Sequence, residues 1–461
     1  MLTDSTAEIV ICGAGIAGVS AAYHLSTRLE ARDILLVDQG PPLSLTSDKS
    51  TECYRNWWPG PGPAMVQFMN RSIDLLEQVA EATGNAIHLN RRGYLFATAD
   101  PRRVEDFRRT AEEAASLGAG PMRLHSGAPG EAAYEPAPAE GFHGQPTGAD
   151  LITDAQLMRE YFPYLSPETV AVIHPRRAGW FSAQQLGGHL LEQARRRGVR
   201  LESARVSGVR LDGDRVSGVE LDGPNGHWFV STRCFVIAAG PHLRTVGRMI
   251  GVDLPVFSEY HAKVAIPDRL GVIPRGAPLL IWTDEQRLPW SDEEKQMLAD
   301  SEDTRWLLSP FPQGVHARPE GPEGSTIVLI LWTYHTEPVE PVFPPPVDPD
   351  YPEIAIRGLA TMIPGLRRYF DRLPRPTVDG GYYTKTQENR PLIGPLPIQG
   401  AYVIGALSGY GLMASMAAGE LLALHIVGDE LPPYAEAFAL QRYQDPAYQE
   451  LLKNWGTTGQ L

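Results

Sequence analysis

The polar and apolar positions divide this chain into recognisable blocks. Near the start, Glu8 precedes the apolar run Ile9-Val10-Ile11-Cys12. The turn Gly13-Ala14-Gly15-Ile16-Ala17-Gly18 and a helical pattern follow, and then a second apolar run ends at Asp38. This reads as strand, glycine-rich turn, helix, strand and acid. Helices are predicted over 64–82, 101–117 and 182–198, with a strand at Gly93-Tyr94-Leu95-Phe96-Ala97-Thr98. Segment 126–150 reads as loop. Strands at 199–209, 215–221 and 228–231 are separated by the turn signals Asp212-Gly213-Asp214 and Asp222-Gly223-Pro224-Asn225-Gly226. Cys234-Phe235-Val236-Ile237 reads as a buried parallel strand ending in small residues. Residues 254–376 change character, with four tryptophans, many prolines and β-rich runs. Residues 401–420 return to strand, glycine turn and a helix of small residues.

Each part of the first block meets a need of a bound dinucleotide. Gly13 permits the tight turn, Gly15 lets the backbone approach a pyrophosphate, and Gly18 lets the helix pack on the strand. The helix start offers N–H groups to phosphates. Asp38 stands where a carboxylate can accept hydrogen bonds from ribose hydroxyls. The second glycine turn, at 405–411, can serve another part of a large cofactor in the same way.

The chain has 461 residues, which suggests two domains. The net charge of −14 argues against nucleic acid or an anionic membrane as partner. No apolar run reaches the roughly 20 residues of a bilayer span. The N-terminus runs directly into the first strand, leaving no room for a signal peptide. Three cysteines suit a reducing compartment, so a cytoplasmic protein is expected. Their spacing suggests no metal site.

Further along, the ordered motifs Thr46-Ser47-Asp48-Lys49-Ser50-Thr51, Phe235-Val236-Ile237-Ala238-Ala239-Gly240, Gly381–Gly394 and Gly405–Gly411 join the N-terminal turn. With them the chain resembles the D-amino-acid oxidase/sarcosine oxidase superfamily. The resemblance implies non-covalent FAD and an α/β fold. A Rossmann-like FAD-binding domain (1–85, 151–253, 377–461) is interleaved with a mainly antiparallel α+β substrate domain (86–150, 254–376). It implies cofactor contacts from Gly13, Gly15, Ile16, Ala17, Gly18, Asp38, Gln39, Ser47, Lys49, Ser50, Thr51, Val206, Ala239 and Gly240. At the second turn it implies Gly405, Ser408, Gly409, Tyr410, Gly411, Leu412 and Met413.

The implied reaction oxidises a carbon–nitrogen bond in a small amine or amino acid, giving an imine. Arg55 is expected to grip a carboxylate. His335, in Tyr334-His335-Thr336, is expected to hold the amine or orient the flavin. Tyr260 and Tyr383 are expected in the pocket. Sarcosine oxidases carry a lysine that assists reaction with oxygen, and its position here corresponds to Leu331. The lysine that helps bind the substrate carboxylate corresponds to Met413, and the flavin-tethering cysteine of some members to Gly381. The usual Thr-Pro-Asp reads Thr386-Gln387-Glu388. Lys49, Lys263 or Lys385 could supply a missing cation. Two alternatives follow: a dehydrogenase that passes electrons to a quinone or protein acceptor, or a flavin-bearing assembly protein without turnover.

Overall fold

The structure is a computed structural model and describes residues 5–28, 33–224 and 226–455. Two large sheets organise it. The first runs Arg200–Ser203, Ile34–Asp38, Ile9–Cys12, Cys234–Ile237, Ala401–Gly405, Leu392–Pro395. Its first five strands are parallel and the last is antiparallel. The central strand Ile9–Cys12 is buried throughout, as the unbroken apolar run requires. Helices Ile16–Arg28, Ala64–Ala82, Ala183–Arg196 and Gly411–Val427 contribute to the core on one face. A four-stranded sheet, including Arg205–Asp212, Arg215–Gly223 and Gly226–Ser231, shares the core on the other.

The second large sheet has nine strands and is mostly antiparallel. It runs Thr377–Lys385, Phe257–Pro267, Ile327–Leu331, His316–Pro319, Leu279–Trp282, Tyr94–Thr98, Ala171–Pro175, Ala149–Ile152, Met122–His125. The expected α/β architecture, a parallel sheet interleaved with an antiparallel one, is therefore present.

Its segments divide differently from the expected boundaries. Ala171–Pro175 and Thr377–Lys385 lie in the nine-stranded sheet, although the resemblance places 151–253 and 377–461 in the cofactor domain. A strand pattern marks a strand and leaves open which sheet takes it. The run 199–209 divides at Ala204, whose N–H donates to the Asp38 carbonyl. Arg200–Ser203 joins the parallel sheet, and Arg205–Asp212 opens the hairpins. The expected 101–117 helix is Arg103–Ala114 followed by a π turn, where Gly118 has φ +102°. Asn225, in the expected 222–226 turn, lies outside the described residues.

The expectation about apolar runs also needs correction. Ser408–Val427 is 20 residues long with an 18-residue window of mean hydropathy 1.4, enough to cross a bilayer by length and composition, yet 78% of that window is buried inside the protein. It packs against Ile16–Arg28 and Ala64–Ala82. A Cβ on Gly419 would lie 2.3 Å from Ser20 Oγ, so its small residues serve close helix packing.

Candidate active site

Two adjoining cavities lie between the large sheets. The first, of about 370 Å³, opens where Ile9–Cys12 and Cys234–Ile237 end and two helices begin. Gly13 has φ +111°, and a Cβ there would lie 2.4 Å from the Ala238 carbonyl oxygen. A Cβ on Gly18 would lie 1.8 Å from the Gly13 oxygen, so this glycine sits behind the turn and closes helix onto strand. Asp38 orders the turn: Oδ2 accepts the Ala14 N–H at 2.7 Å and Oδ1 the Gly40 N–H at 2.9 Å. Ser47 Oγ accepts the Ile16 N–H at 3.0 Å, at the start of the first helix.

Gly13, Gly15, Ile16, Ala17, Asp38, Gln39, Ser47, Ser50, Val206, Ala239, Gly240, Gly405, Ser408, Gly409, Gly411 and Leu412 all line this cavity. Thr51, Tyr410 and Met413 line the second cavity instead. Lys49 lines neither, because its Nζ pairs with Asp48 and Asp379 at 2.8 and 3.0 Å.

The second cavity, about 470 Å³, is walled by side chains. Arg55 is buried, donates Nε–H to the Trp57 carbonyl at 3.2 Å, and holds its guanidinium 4.6 Å from the Trp58 ring centre. Burial pushes its pKa down. His261 stacks on Tyr383, with ring centres 3.9 Å apart and planes 18° apart. His261 Nε2 lies 3.1 Å from Glu259 Oε2, and Nδ1 lies 2.7 Å from Thr333 Oγ1. Lys385 Nζ donates to both Glu259 oxygens at 3.1 Å. Burial works to raise the Glu259 pKa, but the hydrogen bonds and charges of His261 and Lys385 prevail and hold it below the usual range. Burial lowers the pKa of His261 against the pull of Glu259, and brings His316 to about 4. Burial pushes Tyr383 to about 12. Tyr383 and Gly409 line both cavities, so the two meet there.

The structure brings Arg55 and Tyr383 to this site, but not His335 or Tyr260. His335 lies beyond the end of Ile327–Leu331, exposed, with its ring 5.7 Å from Trp306. Tyr260 lies on the opposite face of Phe257–Pro267, 5.5 Å from Tyr382. Successive strand residues face opposite ways, so Phe257, Glu259 and His261 line the cavity and Tyr260 does not. Alternation outward from any one of these three could have revealed the other two. Thr333 carried no sequence signal.

Of the candidate cations, Lys385 lies in the wall, while Lys263 donates to the Asp48 and Ser50 carbonyls. Leu331 and Met413 are wall residues too. Gly381 packs closely on Lys49: a Cβ there would lie 3.1 Å from the Lys49 Cβ.

A cavity at the carboxyl ends of parallel strands, between two glycine-bearing helix starts, defines a dinucleotide-binding α/β protein. The particular family follows from comparison. The profile of the DAO family, FAD dependent oxidoreductases, matches residues 8–424, and the chain belongs to that family. Among curated proteins it is similar to mitochondrial dimethylglycine dehydrogenase of Rattus norvegicus, 24% identical over 330 residues. That match covers 67% of this chain and 33% of the relative, so the chain spans about a third of that protein's length. Among solved structures, L-proline dehydrogenase from P. horikoshii superposes with TM-score 0.71 at 20% identity, covering 96% of this chain and 99% of that one. Glycine oxidase from Geobacillus kaustophilus gives TM-score 0.69 at 17% identity, covering 95% and 99%. Both share the fold.

Proposed function

We propose that this protein oxidises the carbon–nitrogen bond of a small amine or amino acid, using non-covalently held FAD. The observation that carries this reading is the meeting of the two cavities at Tyr383, with a buried guanidinium in the second. The first cavity suits FAD, because glycines and backbone N–H groups clear room for a pyrophosphate. The Gly13–Gly18 turn would hold the phosphates, Asp38 a ribose, and the 405–412 turn the more distant parts of the cofactor. FAD supplies the acceptor for the hydride leaving the carbon next to nitrogen.

The chain's own residues do the rest. Arg55 binds a carboxylate and so orients the α-carbon. Tyr383 and Trp58 exclude water. The reacting amine must be the free base, and Arg55 and Lys385 favour that form by repelling an ammonium. The substrates named in the relatives, dimethylglycine, proline and glycine, all carry a carboxylate beside an amine, as this wall suits.

The test is anaerobic mixing of the FAD-loaded protein with glycine, sarcosine, N,N-dimethylglycine and L-proline. Bleaching of flavin absorbance by at least one is expected. Protein that stays colourless after incubation with FAD, or flavin untouched by all four, would overturn the proposal.

A second reading concerns the electron acceptor. Leu331 supplies an apolar wall where the resemblance to sarcosine oxidases predicts an oxygen-assisting lysine. This favours a dehydrogenase over an oxidase. Reduced flavin should then reoxidise faster with a quinone than with air, and fast reoxidation in air removes this reading. Demonstrated turnover with any of the four would remove a purely structural role.

A further inference from the structure

Beside the cavity lies a carboxylate, an imidazole and a hydroxyl in series. Glu259 and His261 share a face of Phe257–Pro267, and Thr333 comes from the segment after Ile327–Leu331. All three line the second cavity. The direction of the hydrogen bonds follows from chemistry. An ionised carboxylate only accepts, so Glu259 takes the N–H of His261 Nε2. The Nδ1 lone pair then accepts from Thr333, whose hydroxyl proton points at the imidazole. Thr333 therefore presents lone pairs to a ligand. Lys385 and the Tyr383 ring fix the other side of this array.

We infer that Thr333, His261 and Glu259 form a proton relay that receives the N–H proton of a bound substrate ammonium. This deepens the amine reading above and rests on it. In the step, an ammonium N–H bond breaks and its proton passes to Thr333 Oγ1. The Thr333 hydroxyl proton passes to His261 Nδ1. The ammonium becomes a neutral amine, the imidazole becomes an imidazolium, and no electrons change hands. Glu259 stands against the new positive charge.

The groups facing His261 are Glu259 on its own strand, Lys385 and Tyr383 on the next, Thr333, and His316, with Arg55 lining the same cavity. Burial keeps the resting imidazole neutral, and the Glu259 carboxylate offsets part of the cost of charging it when it accepts a proton. The same connectivity of carboxylate, imidazole and hydroxyl moves protons in hydrolytic triads. Here the hydroxyl serves as a conduit. Thr333 is the catalytic residue, and His261 and Glu259 act through it.

The test has two arms on the FAD-loaded protein. In the first, anaerobic flavin reduction is followed from pH 6 to 10 with whichever of glycine, sarcosine, N,N-dimethylglycine or L-proline reduces the wild type fastest. Thr333→Val and His261→Asn should slow reduction at pH 7 by about 10²-fold. Both should recover as pH approaches the pKa of the free amine, and Thr333→Ser should keep the wild-type profile. A loss independent of pH, or an unchanged profile in both variants, overturns the relay. In the second arm, nitrogen NMR of labelled histidine in the resting protein should show His261 neutral, with its proton on Nε2. A proton on Nδ1, or an imidazolium at pH 7, overturns it without any turnover. If no amine reduces the wild type, the amine reading falls and takes the relay with it. If an amine reduces the wild type and the variants keep its profile, only the relay falls.

Discussion

Around the first cavity the two helix starts are lined by glycine, alanine and backbone; around the second the wall carries Arg55, Glu259, His261 and Lys385. One wall works by leaving room, and substitution harms it by adding atoms. The other works by placing charge, and substitution harms it by removing atoms or turning them. The two respond to opposite kinds of mutation, and experiments can exploit this.

The largest expected effect is on the floor of the charged wall. Glu388 Oε1 accepts from Arg442 Nη2 at 2.7 Å and from Tyr443 and Tyr448 at 2.8 and 2.9 Å. The pair is almost wholly buried, so Arg442→Met should destabilise by about 3–5 kcal/mol, measured by denaturant unfolding. Burial works to raise the Glu388 pKa, but Arg442 outweighs it and the net shift is downward. A depressed folded value stabilises above the unfolded value of about 4.3. That contribution is lost as pH falls through the folded pKa. Glu388→Gln should therefore flatten the acid limb of the stability profile.

Next comes the backbone wall. Gly13→Val combines strain at positive φ with a clash against Ala238, together about 3 kcal/mol, or roughly 100-fold weaker FAD retention. Flavin absorbance after gel filtration measures it. Arg55→Gln should raise the KM for a carboxylate-bearing amine about 10–100-fold, since a hydrogen bond to a charged group contributes about 1.5–3 kcal/mol. An equal effect on an amine lacking the carboxylate would sink the assigned role. Smallest is His335→Ala: an exposed ring outside the cavity should change turnover by less than about 2-fold. A larger loss would show that the charged wall extends further than drawn.

Legibility in the sequence follows the same divide. A backbone-built site is written in local spacing, because its glycines recur at fixed intervals around each strand-to-helix turn. Gly13, Gly15 and Gly405 could therefore be placed at one cavity from spacing and resemblance. A side-chain site depends on strand register and on which strands meet. Tyr260 stands one position from Glu259 and His261, which on a strand means the other face. The Tyr334-His335-Thr336 setting singles out His335, but the chain has left the sheet there. Thr333 acquires significance only when Ile327–Leu331 pairs with Phe257–Pro267, a contact that no local pattern encodes. The sheet membership of Ala171–Pro175 and Thr377–Lys385 escaped for the same reason.

The buried helix Ser408–Val427 carries a consequence for handling the protein. Its apolar surface is held from water by the helices and strands packed around it. When those neighbours part on heating, a segment fit for a bilayer meets solvent and other copies of itself. Thermal denaturation should therefore end in precipitate, with an apparent midpoint that moves with scan rate. Mild detergent should keep the opened chain dispersed without restoring its colour.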